Sequence, residues 1–148
     1  MFSSRSTVSI LALLVGATFL LVGVLGFVPG ITTHYGDLKF ADHDSEAKLL
    51  GLFQVSVLHN IVHILFGLAG LALWRTTSNA RMYLIGGGII YLLLGVYGTA
   101  IEHDSSANFV PVNDADNLLH FALGAAMIVL GLVGAKLIDS ATHRHQPA

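Results

Sequence analysis

The chain has 148 residues, enough for one domain, and 54% of them are hydrophobic whereas only 11% are charged. Soluble domains carry about 25% charged residues, so these charges are too few to cover a surface that faces water. The absence of cysteine excludes disulfides, thiolate metal sites and c-type haem attachment. The net charge of −2 gives no indication of nucleic-acid binding.

Four apolar segments follow one another along the chain, at residues 8–28, 56–74, 82–101 and 116–138. Each is close to the length of about 20 residues that a membrane span requires. The pattern predicts an all-α, four-transmembrane-helix bundle that occupies residues 1–148 as a single membrane domain. We expect an outer loop over residues 29–55, with a short interfacial helix at residues 46–53, and a disordered tail over about residues 140–148.

Lysine and arginine predict the orientation, because they concentrate in cytoplasmic loops. Most of them lie at the two ends of the chain and between the second and third segments, namely at Arg5, Arg75, Arg81, Lys136 and Arg144. This bias predicts that both termini are cytoplasmic (N-in/C-in), in a multi-pass protein of the bacterial plasma membrane. The first segment is long for a signal peptide and has no clear cleavage site, so we expect it to be retained.

The chain contains an internal repeat. LLVGVLG (20–26) aligns with LLLGVYG (92–98), and LFQVSVLHNIVHILFG (52–67) aligns with FVPVNDADNLLHFALG (109–124). The second alignment pairs polar and small residues at matching positions: Asn60 with Asn117, His63 with His120, Gly67 with Gly124, and His59 with Asp116. The sequence therefore predicts two helical hairpins, at about residues 8–74 and 82–138, related as a parallel repeat.

The polar residues cluster near the starts of the second and fourth segments. Ser56 and Asn113 are good N-caps, which places His59 and Asp116 in the first helical turn. The spacing of four residues puts His59 and His63 on one helix face. His120 occupies the place of His63 in the other hairpin, so these two histidines are expected at equal depth on facing helices, one turn deeper than His59.

Three interpretations of this cluster remain open. The first is a structural polar network in which the histidines with Asn60 and Asn117 join the helices, with Gly67 and Gly124 allowing close approach. The second is a zinc or copper site. The third is b-type haem held between His63 and His120, with the same glycines leaving room for the macrocycle. The metal site would use His59, His63, Asp116 and His120.

The segments GFVPGITTHYG, LLGLFQVSVLHNIVHILFGLAGL, YLIGGGIIYLLLGVYG and NFVPVNDADNLLHFALGAAMIVLG resemble a family of small four-helix bacterial membrane proteins. This family is mainly actinobacterial and is catalogued as a domain of unknown function. The resemblance covers roughly residues 8 to 135, and it implies an integral protein of the plasma membrane without implying an activity.

We therefore expect a non-enzymatic accessory or interacting membrane subunit whose polar cluster, near the outer face, ties two helix hairpins together. Its expected partners are the lipid bilayer and a larger membrane complex or further copies of itself, with no nucleic acid. No cofactor is expected on this interpretation. The alternative is a redox or sensor protein that binds zinc, copper or haem b through His63 and His120. A small transporter or proton path is the third hypothesis.

Overall fold

The computed structural model describes residues 6–143, and it describes side chains as far as Gly134. Arg5 and Arg144, which contributed to the predicted orientation, lie outside the described residues, as does most of the predicted tail. Within this range the protein is mostly helical, with four α-helices that confirm the predicted number. They are α1 (Thr7–Leu25), α2 (Val57–Leu73), α3 (Thr77–Ala100) and α4 (Asp114–His143).

Three helices are long and apolar enough to cross a membrane: α1, α3 and the part of α4 from Asp114 to Gly134. Helix α2 is equally apolar in character but has 17 residues. Helix α3 begins five residues before the start predicted from hydropathy, because Thr76 provides an N-cap. Its hydroxyl accepts a hydrogen bond from the backbone N–H of Asn79 at 3.2 Å.

A small antiparallel sheet lies between α1 and α2, which corrects the expectation of a purely α-helical chain. Its three strands are β1 (Thr32–Thr33), β2 (Lys48–Leu49) and β3 (Phe53–Gln54), in the order β1-β2-β3. The predicted interfacial helix at 46–53 is therefore wrong. Leu50 and Gly51 have φ angles of 54° and 71°, so the chain reverses direction there instead of continuing as a right-handed helix.

The helices pack mainly in two antiparallel pairs, α1 with α2 and α3 with α4. We call the end of the bundle where α1 and α3 finish and α2 and α4 begin the loop end. At the opposite end the starts of α1 and α3 meet, where the Thr77 hydroxyl donates to the Ser6 hydroxyl at 2.8 Å. The apolar core between the pairs includes Phe19, Leu84 and Met127.

Glycines allow the two helices of each pair to approach closely. A Cβ atom built on Gly16 would lie 2.9 Å from the backbone of Gly70, and one built on Gly88 would lie 2.7 Å from the carbonyl oxygen of Gly124. Real Cβ atoms are almost never this close to backbone, so these positions require glycine. Nearer the loop end, the glycines face asparagine side chains.

Gly26 faces Asn60, and Gly98 faces Asn117. A Cβ atom built on either glycine would overlap the Oδ1 atom of the asparagine that it faces. Both asparagines are almost fully buried, so neither amide can move aside into solvent. Each glycine is therefore needed to accommodate a buried amide.

We predict that Gly98→Ala lowers the free energy of unfolding by about 1–3 kcal/mol, because the new methyl group must displace the buried Asn117 amide. Gly86→Ala is the matched control in the same helix, since nothing lies within 4 Å of its added Cβ. There the better helix propensity of alanine should leave stability unchanged or raise it by up to about 1 kcal/mol. Denaturant titration in detergent micelles measures both variants. Equal stability of the two variants would contradict this account of the packing.

Candidate functional site

The loop end contains two helix N-caps, and both were predicted. The Ser56 hydroxyl accepts from the backbone N–H of His59 at 3.1 Å, at the start of α2. At the start of α4, Asn113 and Asp116 cap each other reciprocally. The Asn113 Oδ1 accepts from the Asp116 N–H at 3.0 Å, and the Asp116 Oδ2 accepts from the Asn113 N–H at 2.9 Å. This is the geometry of a capping box, with aspartate in the place of glutamate.

The cap of α4 also binds the small sheet. Oδ2 of Asp116 accepts a second backbone hydrogen bond, from Gln54 in β3 at 3.0 Å. The side-chain amide of Asn113 donates to the carbonyl oxygen of Leu52 at 2.9 Å. Asp116 is 3% exposed, so these bonds are shielded from water. The start of α4 is thus fixed to the segment that leads into α2.

His59 makes the complementary connection. Instead of reaching back to its own cap, it places Nδ1 3.1 Å from the carbonyl oxygen of Pro111, in the segment that leads into α4. A carbonyl oxygen only accepts, so Nδ1 carries the proton in this bond. The Nδ1 atom of His63 similarly lies 3.2 Å from the carbonyl oxygen of His59. In the neutral rings, both Nε2 atoms are therefore hydrogen-bond acceptors.

The structure brings the three predicted histidines together. The rings of His59 and His63 stack with centroids 4.7 Å apart and an interplanar angle of 12°. The centroid of His120 lies 6.4 Å from that of His59 and 5.2 Å from that of Tyr91. The ring of His59 therefore lies near both of the other imidazoles.

The ligand atoms of the four residues of the predicted metal site do not all lie within 4.8 Å of one another. Among residues 6–143, the single group of three or more ligand atoms lying within 4.8 Å of one another is Asp42, His43 and Asp44. Oδ2 of Asp116 is occupied by two backbone N–H groups. The metal and haem assignments stay predictions, which need measurement.

The predicted structural residues pack tightly. Gly67 lies against the backbone of Leu20, and Gly124 lies against Gly88 and Leu92. The Nδ2 atoms of Asn60 and Asn117 are buried and have no hydrogen-bond partner within the described part of the chain. The asparagines therefore contribute through their contacts with glycine, and the hydrogen bonds between the two halves come from other residues.

A cavity of about 410 Å³ opens beside the histidines, and we call it the histidine cavity. Three histidines and two tyrosines contribute to its wall, and the surface of the wall is almost entirely apolar. The lining residues are His59, Val62, His63, Tyr91, Leu94, Tyr97, Phe109, Val110, Val112 and His120.

Sequence reasoning missed Tyr97 and Phe109 as wall residues and Pro111 and Gln54 as backbone partners. The repeat contained a signal for the last two, because LFQVS (52–56) aligns with FVPVN (109–113), which places Gln54 opposite Pro111.

A second polar group lies in the loop before α2. Nδ1 of His43 is 2.7 Å from Oδ1 of Asp42, and Nε2 is 3.4 Å from Oδ1 of Asp44. The Asp42 side chain is about half exposed and the Asp44 side chain is largely exposed, and accessible acidic groups of this kind are common on protein surfaces. We assign it no function.

Comparison with known families matches residues 9–133 to the family Domain of unknown function (DUF4383). The chain belongs to this family. The match includes almost all of α1, the whole of α2 and α3, the loop end and the histidine cavity. It confirms the predicted resemblance to a family catalogued as a domain of unknown function. No curated protein and no solved structure matches the chain. The family description specifies no activity.

We predict that Asp116→Ala makes hydrogen exchange of the Gln54 amide at least about tenfold faster, because leaving a buried donor without its acceptor is unfavourable by about 1–3 kcal/mol. The amide of Val55 is an internal reference, since it donates to the Ala47 carbonyl oxygen at 3.0 Å and does not involve Asp116. Asp114→Ala is the control variant: its side chain is 98% exposed in the same helical turn. Hydrogen exchange of the Gln54 and Val55 amides is measured by NMR in nanodiscs for the wild type and both variants. Unchanged protection of Gln54 in Asp116→Ala would show that this bond does not form.

Proposed function

We propose that the protein is a four-span, non-enzymatic subunit of the bacterial plasma membrane, with both termini cytoplasmic, that acts by binding other membrane components. Its polar cluster near the outer face holds two helical hairpins together. The observation that carries this proposal is the set of hydrogen bonds between the two halves of the chain. They join Asp116 to Gln54, Asn113 to Leu52, and His59 to Pro111.

The packing of α2 supports a fourth span. Its 17 residues extend about 25 Å at 1.5 Å per residue, which is at the lower limit for crossing a membrane. It lies along α1 from Gly26 at the loop end to Gly16 near the other end. Three residues separate it from α3. A helix paired in this way with a spanning helix occupies the same depth of the bilayer.

Matching contacts in the two helix pairs support the internal repeat. In α1 and α2, Gly23 meets Ile64 and Gly67 meets Leu20; the aligned residues in α3 and α4 make the same contacts. The equivalent pairs are Gly95 with Phe121 and Gly124 with Leu92. The contacts of Gly26 with Asn60 and of Gly98 with Asn117 also correspond.

The engagement of the cluster in structural bonds favours a binding role over catalysis. Oδ2 of Asp116 has two backbone donors, and the Nδ1 atoms of His59 and His63 are fixed to carbonyl groups. Such bonds position side chains and stabilise the joint between the hairpins. The exposed apolar side chains of all four helices provide the surface for lipid and for a larger complex or a second copy.

A metal-dependent redox or sensor function is the second candidate. The close approach of three imidazoles favours it, with the Nε2 atoms of His59 and His63 left as acceptors. Zinc and copper both bind neutral imidazole nitrogen. A shift of side chains would be required to bring the nitrogens to one ion.

Cysteine labelling tests the proposed arrangement in the membrane, and the cysteine-free chain is suited to it. We predict that Gly36→Cys and Ser106→Cys react with a membrane-impermeant maleimide on intact cells, because both positions are exposed at the loop end. Ser78→Cys, exposed near the start of α3, should react only after the cells are opened. Labelling of Ser78→Cys on intact cells would contradict the orientation.

Native mass spectrometry after extraction in mild detergent tests the proposed role. We predict a particle heavier than one chain, containing a second copy or another membrane protein, and no stoichiometric metal. A monomer that carries near-stoichiometric zinc, copper or iron would instead support the second candidate. In that case, His63→Ala and His120→Ala should each lose the metal, while Gly86→Ala should retain it.

A further inference from the structure

The histidine cavity contains polar atoms that the protein leaves without partners. The Nε2 atoms of His59 and His63 are acceptors because Nδ1 of each ring donates to a carbonyl oxygen. Neither Nε2 atom makes a hydrogen bond to another described residue. His120 is 5% exposed, and its Nδ1 has no partner among those residues either. Buried polar groups are nearly always hydrogen-bonded. The buried, unpartnered Nδ1 of His120, together with the two Nε2 acceptors of His59 and His63 at the same cavity, indicates that a ligand with hydrogen-bonding groups belongs there.

The position of the opening restricts how this ligand enters. Val62, Leu94 and Phe109 line the cavity and are also exposed on the outer flank of the bundle. In the proposed four-span arrangement this flank faces lipid. The histidines at 63 and 120 lie about 10 Å below the helix caps at 1.5 Å per residue. The ligand therefore reaches the cavity from within the outer half of the bilayer, and must be lipid-soluble.

The walls restrict its chemistry further. A volume of about 410 Å³ is suitable for a ring with a short substituent and not for a whole phospholipid. Tyr91, Tyr97 and Phe109 line the space, and aromatic walls favour stacked or edge-to-face contact with a flat ring. The two Nε2 acceptors require a ligand that donates hydrogen bonds, and hydroxyl groups on a flat ring meet this requirement.

We propose that the histidine cavity binds the dihydroxylated ring of a lipid-soluble quinol. The ring hydroxyls donate to the Nε2 atoms of His59 and His63, His120 bonds the ring from α4, and the apolar tail leaves the cavity between Val62 and Leu94. The proposal concerns binding alone. It depends on the proposed function in one respect, namely that the flank with Val62 faces lipid.

The test uses the full-length protein in nanodiscs, under anaerobic conditions, with a decyl-substituted benzoquinol as the probe. Val62→Trp places a bulky ring at the opening, and Leu65→Trp is its control, because Leu65 is exposed on the same helix and does not line the cavity. We expect the probe to raise the Tm of the wild type and of Leu65→Trp, and to bind Val62→Trp at least about tenfold more weakly. His63→Phe, which keeps a flat ring but loses the acceptor, should also weaken binding by about tenfold.

Two comparison ligands make the test selective. The corresponding quinone lacks hydroxyl donors, and decanol has a hydroxyl but no ring. Tighter binding of the quinol than of either compound supports the proposal. Equal binding of the quinone or decanol, no effect of Val62→Trp, or no Tm shift in the wild type would each overturn it. If cysteine labelling supports the orientation while the probe does not bind, the ligand proposal alone fails and the proposed function stands.

Discussion

The structure depends on hydrogen-bond partners for the backbone N–H groups at the starts of α2 and α4, where little water is available to bind them. The first N–H groups of a helix have no partner within the helix, and an unpaired buried group is unfavourable by about 1–3 kcal/mol. Asp116 satisfies the N–H of Asn113 beside its own helix and also the N–H of Gln54 from the other half of the chain. One carboxylate thus both caps a helix and joins two segments distant in sequence.

In the connection from α2 to the segment before α4, the side chain donates the hydrogen bond and the backbone accepts it. Proline is the reason for this direction. Pro111, which aligns with Gln54, has no N–H and offers only its carbonyl oxygen. A carboxylate at position 59 would find no donor there. Histidine provides an N–H instead, and Nδ1 of His59 lies 3.1 Å from the Pro111 carbonyl oxygen. In the proposed repeat, the third residue of each helix binds the segment that leads into the other helix. His59 of α2 donates to Pro111, whereas Asp116 of α4 accepts from Gln54, the residue that aligns with Pro111.

This joint also determines the chemistry of the cavity beside it. Because the Nδ1 atoms of His59 and His63 are held by carbonyl groups, their Nε2 atoms remain as acceptors at a fixed spacing. The glycines allow the helices of each pair to approach, while Asn60 and Asn117 occupy the space above Gly26 and Gly98. The space that remains between the pairs forms the histidine cavity. The structural role of the cluster and the ligand binding that we propose therefore depend on different nitrogens of the same rings.

The sequence predicted the helices and the meeting of His59, His63 and His120, because apolar length and the Asn-x-x-His spacing report directly on them. It did not predict the small sheet. The run of apolar residues around Leu50 is also typical of a helix, and it gives no indication of the positive φ angles at Leu50 and Gly51 that reverse the chain. The partners of His59 and Asp116 are backbone groups of Pro111 and Gln54. The repeat aligns these two residues with each other, but their side chains give no indication that their backbone groups form these bonds.

A double-mutant cycle on His59 and Pro111 tests the central claim most directly. His59→Asp alone should lower the free energy of unfolding by about 2–4 kcal/mol, because two acceptors would then face each other. Pro111→Gln restores an N–H at that position, so the double variant should recover about 1–3 kcal/mol as coupling energy. The loss of imidazole stacking is common to the single and the double variant that carry His59→Asp, so it cancels in the cycle. Strictly additive effects, or a His59→Asp variant as stable as the wild type, would contradict the account.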